Sequence, residues 1–219
     1  MLMKDEFLLN LFNFCLAKNF GVQVSLNMKD LRANQKDLKP NVDIADVFDA
    51  MLDVVVYAVG ACTKLAVINN DPLVLHVNSI DEKKMVQRIA NWNEVRNLHI
   101  FNFRRELAFI VEEVYEGTYV PHKNSHFVSF IIVDQYFRDL IAKYQSNYKL
   151  LQQFFTDVYK TFMFWGQKLA NSFVKQNFFY YMDEVMNAND TKGNKTDSEG
   201  KIVKDTKTFS QPQTKFELR

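Results

Sequence analysis

The stretch VDIADVFDAMLDVVVYAVGACTKLAV, residues 42–67, decides the fold of this chain. Apart from its acids the stretch is apolar on every side, which is typical of a buried helix. Asp46, Asp49 and Asp53 follow the spacing i, i+3 and i+7, so a helix projects all three from one face. The β-branched run VVV at 54–56 keeps a strand as the alternative.

An acidic stripe on an otherwise apolar helix has two interpretations. Like charges at this spacing repel each other, and an unpaired buried carboxylate is costly enough to become protonated instead. A bound divalent cation removes this conflict, because hard cations take oxygen ligands. In the alternative interpretation, the stripe simply faces water.

A second acidic helix is predicted at 104–117, RRELAFIVEEVYEG. Its packing face consists of apolar side chains, namely Leu107, Ile110, Val111 and Val114. Glu112 and Glu116 are i, i+4 neighbours, while Glu113 and Glu116 are i, i+3 neighbours. Most glutamate clusters on helices are solvated. If the two acidic helices pack antiparallel, however, their carboxylates face each other and form a site for Mg²⁺.

Composition excludes several classes of protein. The 219 residues include 27 Lys and Arg against 26 Asp and Glu, a net charge of +1, which argues against a dedicated binder of nucleic acids or membrane surfaces. Six Gly and four Pro are too few for a turn-rich sandwich or barrel, so we expect an all-α fold. Cys15 and Cys62 lie in apolar segments without a CxxC motif. With no evident signal peptide or apolar stretch of about 20 residues, these features predict a cytoplasmic protein.

Further helices are predicted at 5–20, 79–99, 125–145 and 147–187. The second of these opens with Ser79 and Glu82, which have the spacing of a capping box. From Asn189 onward the chain becomes polar, and residues 193–219 are expected to form a tail that is either loosely attached or folded over a site.

Four blocks of the chain are similar to sequence motifs of a single protein superfamily. EEVYE at 112–116 has the form EExxE, IADVFDAMLDVVVYAVG at 44–60 is similar to EIADALGDLLYVVYG, and EVMNANDTK at 184–192 is similar to EVHRSNMSK. The tail segment SEGKIVKDTKTF at 198–209 is similar to DGKVLKGPNYF. These are patterns of phage-type members of the MazG and HisE-like superfamily, the all-α nucleoside triphosphate pyrophosphohydrolases that also include the dimeric dUTPases. The chain therefore resembles that superfamily.

The resemblance implies a helical bundle over residues 1–192 that hydrolyses an NTP or dNTP to the monophosphate and pyrophosphate, with Mg²⁺ or alternatively Mn²⁺. The implied metal ligands are Asp46, Asp49, Asp53, Glu113 and Glu116. The implied catalytic carboxylates, which deprotonate the attacking water, are Glu112 and Glu113. The residues implied to hold substrate are Asn189, Lys192, Lys201 and Lys204.

The order of the motifs departs from the family, in which EExxE precedes the aspartate helix. A faint repeat relates YAVGACTKL at 57–65 to FMFWGQKL at 162–169, with Gln152, Phe155 and Tyr159 at the acid positions of the second copy. A tandem duplication with halves 1–90 and 91–192 explains the order, and the chain is then a pseudo-dimer rather than one subunit of a homodimer. A circular permutation gives the same residues. The third alternative is that the order of the motifs is a coincidence and that the site does not exist.

A rival function from another class is a helical structural or interaction protein, for example a phage-type assembly component. Its acidic helices would be solvated and its polar tail would dock onto a partner. The position of the acids discriminates between the two, because an enzyme needs Asp49, Asp53, Glu113 and Glu116 in one cavity. The sequence does not identify the nucleotide.

Overall fold

The computed structural model describes residues 44–73, 75–96, 101–103, 105–107, 109–110, 113, 147–195, 202, 204 and 207–210, and of residues 44–47 it describes the helix but not the side chains. Four helices lie in these ranges: α1 (Ile44–Ile68), α2 (Ile80–Val95), α3 (Tyr148–Phe173) and α4 (Phe178–Asp190). The described residues of 103–113 are also helical, and we call them the 103–113 segment. The helices predicted at 5–20 and 125–145 lie outside the described residues.

The all-α prediction is confirmed, since the described residues contain helices and no strand. The strand alternative for 54–56 is wrong, because α1 runs through these residues and buries all three valines. β-Branched residues only weakly disfavour a helix, and burial outweighs that preference.

Helix α2 begins as the capping box predicts. The Ser79 side chain accepts a hydrogen bond from the Glu82 backbone N–H at 3.1 Å. The Glu82 carboxylate reaches back to the Asn78 N–H at 2.6 Å, one residue before the cap. The helix ends at Val95 rather than at the predicted residue 99, and Arg96 is its C-cap.

The prediction of one helical pattern over 147–187 is wrong, because the chain breaks between α3 and α4. Val174 has extended backbone angles, with φ −116° and ψ 158°, and ends α3. Asn177 then caps α4 by accepting a hydrogen bond from the Tyr180 N–H at 2.9 Å. Asparagine is a strong N-cap residue, and this was the signal available in the sequence.

The core is formed chiefly by α1 packed along α3, the two longest described helices. Helix α1 also contacts α2 and α4, and α2 lies against α4. Phe48 of α1 makes edge-to-face contacts with Phe178 and Tyr181 of α4, at ring-centroid distances of 6.2 Å and 5.4 Å. Phe155 and Tyr159 of α3, at two acid positions of the proposed repeat, are fully buried. The duplication itself stays a prediction.

Within the described residues, one helical stretch, Phe48–Ile68, is long and apolar enough to cross a membrane. The sequence analysis expected no apolar stretch of about 20 residues, and this expectation is wrong, because Phe48–Ile68 has both the length and the apolar composition. Its most apolar window is 72% buried inside the protein. A buried core helix passes the same test, so this finding alone assigns no membrane.

Gly166 allows the close approach of α3 and α4. A Cβ atom there would lie 2.5 Å from Cε2 of Phe178, a ring that is itself fully buried. We expect Gly166→Ala to lower the free energy of unfolding by about 1–3 kcal/mol, measured by urea denaturation, because overpacking exceeds the helix-propensity gain of about 1 kcal/mol. Adding Phe178→Leu to that variant should recover part of the loss. A stabilised Gly166→Ala protein would contradict the packing.

Glu82 and Tyr159 form a buried polar link between α2 and α3, in which the tyrosine hydroxyl donates to Glu82 Oε1. We expect Tyr159→Phe to cost about 1–3 kcal/mol at pH 7, because it leaves that oxygen without its donor. Burial, followed by the hydrogen bond to Glu82, raises the pKa of Tyr159 far above its usual range.

The raised pKa also predicts how stability depends on pH. Above about pH 10 a tyrosine ionises in the unfolded chain but keeps its proton in the fold, so Tyr159 contributes a loss of stability with rising pH of about 1.4 kcal/mol per pH unit. Tyr159→Phe should therefore show a shallower alkaline slope in denaturation curves measured between pH 9 and pH 11. An identical slope in both proteins would contradict the assignment.

Candidate active site

A cavity of about 240 Å³ lies between α1, α2, the 103–113 segment, the end of α4 and the tail. Acidic, basic and aromatic side chains meet in it. It is lined by Asp49, Asp53, Val56, Tyr57, Gly60, Lys64, Trp92, Asn93, Phe109, Glu113, Asn189, Lys192, Ile202 and Lys204.

One face of α1 supplies the long wall of this cavity. Asp49, Asp53, Tyr57, Gly60 and Lys64 recur every three or four residues, so they form a stripe along the helix. At a rise of 1.5 Å per residue, the stripe extends over about 16 Å from Asp53 to Lys64. Acids stand at its N-terminal end and a lysine at its C-terminal end.

The 103–113 segment faces this stripe in the antiparallel sense. Glu106 pairs with Lys64, and the Phe109 ring lies 5.2 Å from the Tyr57 ring. Glu113 then lines the same cavity as Asp53. Residue numbers therefore rise on one element as they fall on the other. The antiparallel arrangement predicted for the two acidic helices is present in these described residues.

Lys64 and Glu106 form a buried ion pair at the wall of the cavity. The Lys64 Nζ donates to both carboxylate oxygens of Glu106 at 2.9 Å, and the two side chains are 11% and 1% exposed. Arg105 Nη2 lies 3.4 Å from Glu106 Oε1 and adds a second, longer contact. Glu106 therefore determines where the Lys64 ammonium is held.

The end of α4 and the tail close the cavity. Asn189 is buried, and Lys192 follows it in the turn after the helix. Arg96 of α2 donates to the backbone carbonyls of this turn, at 3.4 Å to Asn189 and 3.2 Å to Asp190, which holds the turn against α2. Such donors satisfy carbonyls that a helix end leaves open.

The tail is attached at two described places. Ile202 and Lys204 line the cavity, and the Ser210 N–H donates to Thr191 Oγ1 at 3.0 Å. The Lys204 Nζ also lies 5.0 Å from the centre of the Phe209 ring. Of the two predictions for the tail, these contacts favour the one in which it folds over the site.

Six of the residues predicted from the sequence line this one cavity: Asp49, Asp53, Glu113, Asn189, Lys192 and Lys204. Glu112, Glu116 and Lys201 lie outside the described residues, as does the side chain of Asp46. No predicted site residue among those described lies away from the cavity.

The donor set partly fits a hard cation. Asp49, Asp53 and Glu113 supply carboxylate oxygens to one cavity, the ligand chemistry that Mg²⁺ prefers. Among the described residues, however, no group of three or more His, Cys, Asp or Glu side chains is close enough together to hold a metal ion. A site that keeps several waters on the ion and uses substrate oxygens needs fewer protein ligands.

The sequence analysis missed Lys64, Asn93, Phe109 and Glu106 as residues of the site. Lys64 carried a usable signal, because it continues the periodicity of the aspartates along α1. Glu106 carried a similar signal. It precedes Glu113 by seven residues, about two helical turns, so the two side chains share one helical face. Nothing local marked Asn93, which reaches the cavity only because α2 crosses α1 at Gly60.

Cys62 is not a candidate nucleophile. It is fully buried on α1 and contacts Thr156 of α3 at 3.8 Å, away from the residues that line the cavity. Burial raises the pKa of this thiol to about 12, so it is protonated at neutral pH.

Comparisons with protein-family models, curated proteins and solved structures find no match for this chain. The resemblance to the MazG-like superfamily therefore rests on the residues quoted above and on nothing further.

Proposed function

We propose that the protein is a Mg²⁺-dependent nucleoside triphosphate pyrophosphohydrolase, as the resemblance implies. The observation that supports this proposal is the convergence of Asp49, Asp53 and Glu113 with Lys192 and Lys204 in one cavity. These residues come from parts of the chain that are about 60 to 150 positions apart. Carboxylates bind divalent cations and lysines bind phosphates, so a cavity with both is expected to bind a ligand that carries a divalent cation and phosphates.

In this proposal each residue of the cavity has a defined task. Mg²⁺, or Mn²⁺ in its place, would be held by one or two of the carboxylates of Asp49, Asp53 and Glu113 together with waters and the substrate phosphates, and when bound it would supply charge neutralisation at the phosphates. A water attacks the α-phosphorus, and the Glu113 carboxylate accepts its proton. The bond from the α-phosphorus to the bridging oxygen breaks, and pyrophosphate leaves. Glu112, Glu116 and Asp46, outside the described side chains, are further candidates for these tasks.

The cations of the cavity bind the leaving group. Lys192 follows the buried end of α4, and Lys204 enters from the tail, so pyrophosphate would be held where the tail meets the helix. Lys201 is a further candidate from the sequence. Asn189 offers an amide for the sugar or a phosphate oxygen. We place this activity in the cytoplasm, where nucleotides are available and the unpaired Cys62 stays reduced.

Pyrophosphate release from a panel of NTPs and dNTPs, with and without Mg²⁺, tests this function. We expect release that needs Mg²⁺ and is stoichiometric with the nucleoside monophosphate. Release of inorganic phosphate instead would point to a different bond being cleaved. No release from any nucleotide would contradict the proposal.

A non-enzymatic interaction protein is the second candidate, and one observation favours it. Ile80 and Val95, at the two ends of α2, are 74% and 76% exposed, and both line one surface groove of about 590 Å³. They suit contact with another protein, such as a second copy of this chain. The pyrophosphate assay separates this function from the first, because a purely structural protein turns over no nucleotide.

A further inference from the structure

The end of α4 and the turn that follows it carry two of the residues that line the cavity. Helix α4 ends at Asp190, and Thr191 is its C-cap. Asn189 and Lys192, on either side of this end, line the cavity, and Asn189 is 4% exposed. A residue that holds this backbone therefore determines where both side chains stand in the cavity.

This turn satisfies only some of its own carbonyls. A helix leaves its last four carbonyls without a donor from the helix itself. Thr191 donates to the Ala188 carbonyl through its N–H at 3.1 Å and through its Oγ1 at 2.7 Å. The Lys192 N–H donates to the Asn189 carbonyl at 3.1 Å. The carbonyls of Asp190 and Lys192 receive a donor from another element, helix α2.

Arg96, the C-cap of α2, is that donor. Its Nη2 donates to the carbonyls of Asn189 at 3.4 Å, Asp190 at 3.2 Å and Lys192 at 3.5 Å. Because this nitrogen carries two hydrogens, at least one hydrogen is shared between two carbonyls, as is common at helix ends. Each contact is long, but together they attach the backbone on both sides of the C-cap to α2.

The Trp92 ring orients this guanidinium. Trp92 and Arg96 are i, i+4 neighbours on α2, and the guanidinium carbon lies 4.6 Å from the ring centre. A planar guanidinium can stack on a ring face and still direct N–H groups outward from its edge, which an ammonium cannot do. Arginine therefore suits this position better than lysine.

Arg96 itself lies outside the cavity. It lines the surface groove that also contains Ile80 and Val95, whereas Trp92 lines both the groove and the cavity. Apart from its charge, Arg96 can therefore act on a ligand in the cavity only through the residues that it holds.

We propose that Arg96 is a positioning residue of the cavity, which fixes the turn after α4 so that Lys192 meets the pyrophosphate group of the substrate. This inference rests on the proposed function, in which Lys192 binds that group. Without Arg96, the carbonyls of Asp190 and Lys192 would take water as their donor, and the turn would be less ordered. A side chain that its ligand must first order binds that ligand more weakly.

A double-mutant cycle on the affinity for inorganic pyrophosphate tests this role, measured by isothermal titration calorimetry with Mg²⁺ in excess. We expect Lys192→Met and Arg96→Met each to weaken binding by about tenfold or more. The double variant should bind about as weakly as Lys192→Met alone, because Arg96 then has no lysine to position. Fold-changes that multiply in the double variant would overturn the inference, because the two residues would then act independently.

Arg96→Lys separates geometry from charge. Lysine keeps the positive charge but lacks the planar guanidinium, so we expect it to weaken pyrophosphate binding nearly as much as Arg96→Met. An affinity equal to that of the parent protein would show that the charge suffices, and would also overturn the inference.

Arg88→Met is the matched control. Arg88 also joins α2 to α4, but it donates to side chains, namely those of Asp183, Asn187 and Asp190. Its replacement should leave the affinity for pyrophosphate at the parent value. A loss as large as that in Arg96→Met would mean that any weakened contact between α2 and α4 has this effect, which contradicts a specific role of Arg96.

Urea denaturation of each variant shows whether it folds, and if Arg96→Met does not, the cycle is measured with Arg96→Lys. Pyrophosphate release from the nucleotide panel is measured separately. The expected coupling without release from any nucleotide supports the role of Arg96 and contradicts the proposed hydrolysis. Release without coupling, or release by a parent protein that does not bind pyrophosphate, contradicts the role of Arg96 alone.

Discussion

Replacing Asp53 with asparagine is expected to lower Mg²⁺-dependent pyrophosphate release by on the order of 10²–10³-fold. Asp53 lies on the half-buried face of α1 and lines the same cavity as Glu113. Asparagine keeps the size of the side chain and removes its charge. The loss of activity should therefore reflect weaker electrostatic stabilisation rather than a changed fold.

A matched control is Glu94→Gln, the same kind of change at an exposed position of α2 outside this cavity. Its activity should equal that of the parent protein. Added Mg²⁺ should raise the thermal midpoint of the parent and of Glu94→Gln, but less or not at all for Asp53→Asn, because only a bound ion stabilises the fold. Full activity in Asp53→Asn would show that the Asp53 carboxylate is not needed for the reaction and would contradict the proposed mechanism.

Lys64→Met is expected to lower the free energy of unfolding by about 3–5 kcal/mol, because it leaves the Glu106 carboxylate buried without its main counter-charge. Glu106 is fully buried, and both of its oxygens accept from Lys64 at 2.9 Å. Arg105, at 3.4 Å, compensates only in part. Urea denaturation at pH 7 measures the loss.

Two further variants show whether the cost comes from the unpaired charge. Lys64→Met/Glu106→Gln should regain most of the stability, because neither partner then carries a charge. Arg88→Met removes two far more exposed pairs, with Asp183 and Asp190, whose side chains are 65% and 54% exposed, and should cost less than about 1 kcal/mol. If Lys64→Met and Arg88→Met lowered the free energy of unfolding equally, the buried pair would contribute no more to stability than the exposed contacts of Arg88.

Periodicity predicted the parts of the site that lie on one helix. The spacing of Asp49 and Asp53 placed both on one face of α1, and both line the cavity. The same rule, continued along α1, would have included Lys64. The break between α3 and α4 was missed because the same helical periodicity of apolar residues continues across it. The only local signal was the N-cap at Asn177, which is a single residue.

Residues brought together from distant parts of the chain were predictable only through the resemblance. Asn189, Lys192 and Lys204 have no periodic relation to α1, yet they line its acidic face. Asn93 and Trp92 had no signal at all, because their position depends on where α2 crosses α1. Side-chain spacing along a helix is set by local geometry, whereas a crossing is set by the whole core.

The amino-acid sequence by itself determined that the chain is helical, that most of the apolar stretch 42–67 would be buried, and that its acids share one face. All three follow from a repeat of 3.6 residues and from the cost of exposing apolar surface, which are local properties. Only the tertiary structure decided that Glu106 holds Lys64, that Glu113 and Asp53 line one cavity, and that the tail reaches the same cavity. These depend on how separate elements pack, because a buried charge is tolerated only where another element supplies its partner.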